Sequence, residues 1–139
     1  MEEHISTILK GKKIIIVEDD LFIGDLLTQK IRTFDVSVER FENGEDALKA
    51  IVETVPDLVL LDLFLPRMSG FDVLGQIRSN EKTKNIKVIV VSNTDQAEDR
   101  KRVTDMGAEF VIKAMVSPET IIEYTAQMLE TGKVVQTDF

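Results

Sequence analysis

Cysteine and tryptophan are absent from the 139 residues, histidine occurs once, and positive charge is scarce beside negative, with 17 Lys and Arg against 25 Asp and Glu. Each shortage narrows the field. A chain of this length buries roughly two thirds of its unfolded surface, so it needs neither a disulfide nor a structural metal to fold. The lack of cysteine fits a reducing, cytoplasmic setting. The single histidine, His4, lies near a chain end that commonly frays, which makes it a poor candidate for catalysis. A net charge of −8 argues against broad nucleic-acid binding, because phosphate contacts need clustered Lys and Arg, and Arg100, Lys101 and Arg102 are the only tight basic run. No apolar run approaches the ~20 residues of a membrane span, and the opening MEEHISTILKGKK starts acidic without a signal peptide's apolar core. Neither a membrane nor direct contact with nucleic acid is therefore expected.

Alternation dominates what is present. Five β-rich runs, Lys13 to Val17, Val36 to Phe41, Asp57 to Asp62, Ile86 to Val91 and Glu109 to Lys113, alternate with helix-patterned segments, as βαβ units do. The first, third and fourth runs contain IIIV, LVLL and VIVV, the near-continuous apolarity of strands covered on both faces; VSVERF is mixed and reads as an edge. Helical stripes lie between them. They comprise Ile23, Leu26, Leu27, Ile31 and Phe34; Ala47, Leu48, Ile51, Val52 and Val55; Phe71, Leu74 and Ile77; and Ile121, Ile122, Thr125, Met128 and Leu129. The segment Gln96 to Met106 offers a core mainly Ala97, Val103 and Met106, so it is expected to be the least anchored helix. Asn43-Gly44, Gly107 and Ser117-Pro118 punctuate helix ends. Whether Ile5 to Leu9 forms a short helix is left open by the pattern.

In an open parallel α/β sheet, reactive groups collect beyond the carboxyl ends of the strands. Those ends carry Glu18-Asp19-Asp20, Asp62, Ser92-Asn93 and Lys113. Each has a plain structural reading. Asp20 is best read as a helix cap, Asp62 could be a turn residue before Pro66, Ser92 or Asn93 a cap, and Lys113 a solvated charge. Together they say more. Three carboxylates from two adjacent strands repel one another unless a cation lies among them, and a hard divalent ion such as Mg²⁺ takes carboxylate and phosphate oxygens. Lys113 and the Ser92 hydroxyl would then face the remaining oxygens of a phosphoryl group accepted by a carboxylate nucleophile.

The ordered set VEDD, LLDLFLPRMSG, VVSN and GAEFVIK resembles a bacterial response-regulator receiver domain of two-component signalling, chemotaxis-receiver-like, over about residues 12 to 131. The resemblance implies a flavodoxin-like, doubly wound (βα)5 three-layer sandwich with parallel strand order 2-1-3-4-5, preceded by an extension (1–11) and followed by a tail (132–139). It implies Asp62 as the phospho-acceptor, taking its phosphoryl group from a sensor histidine kinase or a histidine phosphotransfer protein. Mg²⁺ would be held by Asp19, by Glu18 largely through water, by Asp62 and by the Phe64 backbone carbonyl. Ser92 and Lys113 would contact the phosphoryl oxygens, and Phe110 would be an aromatic switch. The signal would leave through protein contacts of the Gln96 to Met106 helix, the fifth strand and the last helix, on a surface including Arg100, Lys101, Arg102, Lys113 and Tyr124. On this reading the chain assists its own phosphorylation and dephosphorylation but is not an enzyme.

The chain departs from the family in three places. Lys113 is followed by Ala114 where proline in a cis bond is usual, and a non-proline cis bond costs ~2.5–4 kcal/mol. Lys113 is expected to reach the crevice nonetheless. The Gly107 to Lys113 stretch is one residue short, which predicts a tighter turn, and Ser69 replaces a frequent aspartate. Phe64 and Thr94 occupy positions where the family tunes dephosphorylation, and a bulky Phe64 predicts a long-lived phosphoryl group. Two further forms of the reading are a receiver cut from a larger regulator and a degenerate receiver acting only as a protein-binding module. Other classes match less well. An aspartate-nucleophile phosphatase needs Asp-x-Asp, but Phe64 stands two past Asp62, and EDDLFIGD lacks the glycine or hydroxyl cradle of a flavin site.

Overall fold

The β-branched runs form five strands: β1 (Lys13–Val17), β2 (Ser37–Phe41), β3 (Leu58–Leu61), β4 (Lys87–Ser92) and β5 (Glu109–Ile112). All pair in parallel in the order β2-β1-β3-β4-β5, the flavodoxin-like doubly wound arrangement. The computed structural model describes residues 2–136, so the last three residues of the expected tail and Met1 of the expected extension lie outside the described residues.

Six helices complete the fold: α1 (Glu2–Leu9), α2 (Leu21–Ile31), α3 (Gly44–Thr54), α4 (Gly70–Ser79), α5 (Ala97–Asp105) and α6 (Pro118–Thr131). Successive strand side chains point to opposite faces, and each face buries its own apolar cluster. Ile14, Ile16, Leu58, Leu60, Ile89 and Val91 pack against α1, α2 and α6. Ile15, Val17, Val59, Leu61, Val88 and Val90 pack against α3, α4 and α5. These are the three layers of the sandwich.

Local chemistry places the helix starts. Asp20, Asn43, Ser69 and Ser117 each accept a hydrogen bond from the backbone N–H three residues on, satisfying a donor that the first turn leaves free. Ser69 thus does at the start of α4 what an aspartate would. Gly107 closes α5 at φ +75°, and residues 106–108 alone connect α5 to β5, the tight turn expected there.

The question left open at the N-terminus is resolved by α1. Its Ile5 and Leu9 are buried against the α2/α6 face, and His4 lies 3.1 Å from Glu130 of α6, far from the strand ends. The chain after α6 turns back along β5, the outer strand. Val134 N–H donates to Glu109 Oε1 at 2.8 Å, and Gln136 Nε2 donates to the Phe110 carbonyl at 2.8 Å. Helix α5 buries only Val103, whereas Ala97 is exposed and Met106 half-buried, so its hold on the sheet is narrower than expected. Tyr124 requires a correction. It is buried in the α2/α6 cluster instead of lying on an exposed face, because its position on α6 points at the sheet.

If α1 is an integral layer of the fold, Leu9→Ala will destabilise the protein by about 2–5 kcal/mol, as for other buried leucines, in urea unfolding. Phe22→Ala, at an exposed position, will leave the midpoint within about 0.5 kcal/mol of wild type.

Candidate functional site

At the carboxyl ends of β1 and β3 the chain turns out of the sheet, and the next residues are Glu18, Asp19 and Asp62. One carboxylate oxygen from each lies within 4.8 Å of the others, with Glu18 and Asp62 buried and Asp19 exposed. Lys113, directly after β5, reaches into the same space. Its Nζ is 2.6 Å from Glu18 Oε1 and 3.1 Å from Asp62 Oδ2, and its side chain is 10 % exposed. Lys113 is therefore a crevice residue and does not contribute to the exposed surface expected around α5. Among the described residues every peptide bond is trans, and Lys113–Met115 forms a single 3-10 turn leading to α6.

The electrostatics follow from this crowding. Burial pushes the Glu18 carboxyl above its ordinary value, and the Asp62 charge adds to the rise against the opposing Lys113 hydrogen bond. Burial pulls the Lys113 ammonium down, but its hydrogen bond to Glu18 and the charge of Asp62 outweigh that and hold it above its ordinary value. Asp20 stands apart as a cap: its side chain accepts from Ile23 N–H, and its own N–H donates to Glu18 Oε2 at 3.1 Å.

Ser92 ends β4 beside Ile112 of β5, and its hydroxyl is fully buried without a hydrogen-bond partner among the described residues. A buried unpaired hydroxyl costs about 1–3 kcal/mol, so this one is a donor suited to an oxygen-rich ligand. Phe64 N–H donates to Asp62 Oδ1 at 3.4 Å, while its ring stands 59 % exposed. Thr94 donates to Asp99 Oδ2 at 2.8 Å and accepts from Gln96 N–H, so it ties the turn before α5 to the first turn of that helix. Phe110 is buried on the α3/α4/α5 face, with the Arg100 guanidinium 4.9 Å from its ring centroid. Arg102 lies 4.1 Å over Phe71.

The loop after β3 is fixed by close backbone approach. A Cβ at Gly70 would overlap the Asp62 carbonyl oxygen, and Gly70 N–H donates to Leu63 O at 2.8 Å, so only glycine lets α4 begin so near Asp62. Two arginines were not singled out by sequence reasoning. Arg78 donates to the carbonyls of Lys84, Ile86, Met106 and Gly107, tying α4 to the loops around β4 and β5. Arg40 donates to carbonyls of the β1–α2 turn. Neither has a sequence signal beyond a charge inside an otherwise apolar or edge segment.

Residues 14–126 match the family described as the response regulator receiver domain. The chain belongs to that family, a receiver of two-component response regulators. It is 29% identical over 125 residues to the DNA-binding dual master transcriptional regulator RpaA of Synechocystis, covering 89% of this chain and 52% of that protein. It is 31% identical to the polar-differentiation response regulator DivK of Brucella anthropi, covering 81% of this chain and 91% of DivK. Among solved structures, a CheY-like receiver domain protein from Methanospirillum hungatei superposes with a TM-score of 0.78 at 27% identity, over 86% of this chain and 94% of that one. The receiver spans about half the length of most of the curated relatives it matches.

Three hard oxygen donors on two neighbouring strand ends, two of them buried, are a donor set suited to Mg²⁺. Millimolar Mg²⁺ will raise the melting temperature by mass action, and Asp19→Asn will shrink that shift, as read by differential scanning calorimetry.

Proposed function

We propose that this receiver accepts a phosphoryl group on Asp62, with Mg²⁺, from a phosphohistidine of a sensor kinase or phosphotransfer protein, and that it signals through protein contacts. One observation carries the reading: Asp62 is buried at a strand end within reach of Glu18 and Asp19 and paired to Lys113 Nζ at 3.1 Å.

The chemistry is a displacement at phosphorus. An Asp62 carboxylate oxygen forms the new P–O bond as the donor's P–N bond breaks, and the electron pair leaves on the imidazole nitrogen. Asp19, Asp62, the Phe64 carbonyl and, largely through water, Glu18 would hold Mg²⁺, which when bound would offset the charge of the carboxylates and of the transferring group. Lys113, already seated between Glu18 and Asp62, pairs with a phosphoryl oxygen as negative charge is added there. The Ser92 hydroxyl donates to a second phosphoryl oxygen, gaining the partner it otherwise lacks. Movement of Ser92 toward that oxygen is relayed to Phe110 in β5, the switch, and from there to α5 and α6. Arg100, against the Phe110 ring, and the exposed Lys101 and Arg102 are the α5 side chains that a target protein meets.

The half-length coverage of relatives such as RpaA favours a second form of the reading, in which these residues are the receiver of a longer regulator and the target surface contacts its output domain. The expected absence of direct nucleic-acid contact concerns the receiver alone.

Incubation with a small acyl-phosphate donor and Mg²⁺ will add one phosphoryl mass to the wild type and none to Asp62→Ala, as read by intact-protein mass spectrometry. A wild type that takes up no phosphoryl group would leave a receiver fold serving only as a binding module. Phe64→Asn will lose the phosphoryl group faster than wild type, because the bulky ring no longer hinders water; equal lifetimes would remove that role from Phe64.

A further inference from the structure

Arg40 sits on β2, the outermost strand on its side of the sheet, yet its guanidinium reaches the turn that carries two carboxylates of the crevice. Nε and Nη2 donate to the Glu18 carbonyl oxygen at 3.2 and 3.0 Å, and Nη2 also donates to the Asp20 carbonyl oxygen at 3.3 Å. Nη1 donates to Asp25 Oδ1 at 3.1 Å, and the side chain is only 12 % exposed. The guanidinium thus bridges the backbone on both sides of Asp19. A planar fork with donors on three nitrogens can do this, whereas an ammonium presents a single point.

The seat for that fork is made by Gly24. A Cβ at position 24 would overlap Arg40 Nε, so the guanidinium lies in space that any other residue of α2 would fill. The remaining ties of the turn run elsewhere. Glu18 N–H donates to Phe41 O, Asp20 N–H to Glu18 Oε2, and Gly24 N–H to Asp20 O. The carbonyl of Glu18 is held by Arg40.

We infer that Arg40, seated against Gly24, is a positioning residue for the ion site: it fastens the carbonyls flanking Asp19 and so fixes the aim of the Glu18 and Asp19 carboxylates. The inference rests on the reading of Glu18, Asp19 and Asp62 as the Mg²⁺ site. Two effects of Arg40 oppose each other. Its positive charge beside the crevice weakens attraction for a cation, and its grip on the turn strengthens binding by preorganising the ligands. Loss of an outer partner of this kind typically weakens metal binding about 10–100-fold, and here the grip dominates because the charge is already paired with Asp25.

The two effects predict opposite signs, so Mg²⁺ dissociation constants measured by isothermal titration calorimetry separate them. Wild type is compared with Arg40→Met, Arg40→Lys and Gly24→Ala, well below the melting temperature of each metal-free protein. Gly24→Ala evicts the guanidinium without changing any charge and favours the helix, so it supplies a folded comparison even where an Arg40 variant is too unstable to measure. All three variants are expected to bind Mg²⁺ about tenfold or more weakly, with Arg40→Lys failing to rescue. Wild-type affinity in Gly24→Ala and Arg40→Lys, or tighter binding by Arg40→Met, would overturn the inference while leaving the Mg²⁺ site intact. A wild type that takes up no Mg²⁺ would overturn both.

Discussion

Two buried carboxylates, Glu18 and Asp62, share one ammonium, and the rest of the molecule is arranged around keeping Lys113 between them. Such a group is costly to remove from water. A buried charge left without its partner destabilises by several kcal/mol, so the three strand ends must arrive together or not at all. Parallel pairing meets that condition. The registers of β1 with β3, β3 with β4 and β4 with β5 bring Val17, Leu61, Ser92 and Ile112 to one side of the sheet, and the chain leaves the strands there. The α4 helix begins directly on the Asp62 carbonyl because Gly70 has no side chain, and Arg40 closes the opposite flank.

A site held in this way is poised and not relaxed. Lys113 neutralises the crevice in part, burial pushes the Glu18 carboxyl above its ordinary value, and the Ser92 hydroxyl is buried without a partner among the described residues. The burial of Glu18 and the unpartnered Ser92 hydroxyl are unfavourable for stability; positive charge among the carboxylates relieves the first, and an oxygen acceptor beside Ser92 relieves the second. Stability surrendered at a site and recovered from the two apolar layers is a common division of labour in folded proteins.

Periodicity made the fold legible. Strands buried on both faces leave uninterrupted IIIV, LVLL and VIVV runs, and every observed strand boundary falls within about one residue of its expected place. The strand ends were legible for the same reason, since chemistry at the end of a buried run has few places to go. Other features depend on partners far away in the chain. The α1 helix is fixed by α6, Tyr124 is inside because α6 turns that position to the sheet, and Arg40 matters because a glycine sixteen residues earlier makes room for it. The Lys113 loop reaches its place with Ala114 where proline is usual, through a trans 3-10 turn that no local residue preference announces.

The segment that follows α6 bears on how the sheet ends. A bare outer strand presents a row of unpaired amides and carbonyls on which another chain can build. Here Gln136 donates to the Phe110 carbonyl and the Val134 amide donates to the Glu109 side chain, so residues 134–136 lie along that margin and occupy one of its main-chain groups. The opposite margin, β2, carries the exposed Glu39 and has Arg32 over the Val38 carbonyl. Each rim thus carries a side-chain cover over part of its backbone, and a protein that adds a strand beside β5 must first displace residues 134–136.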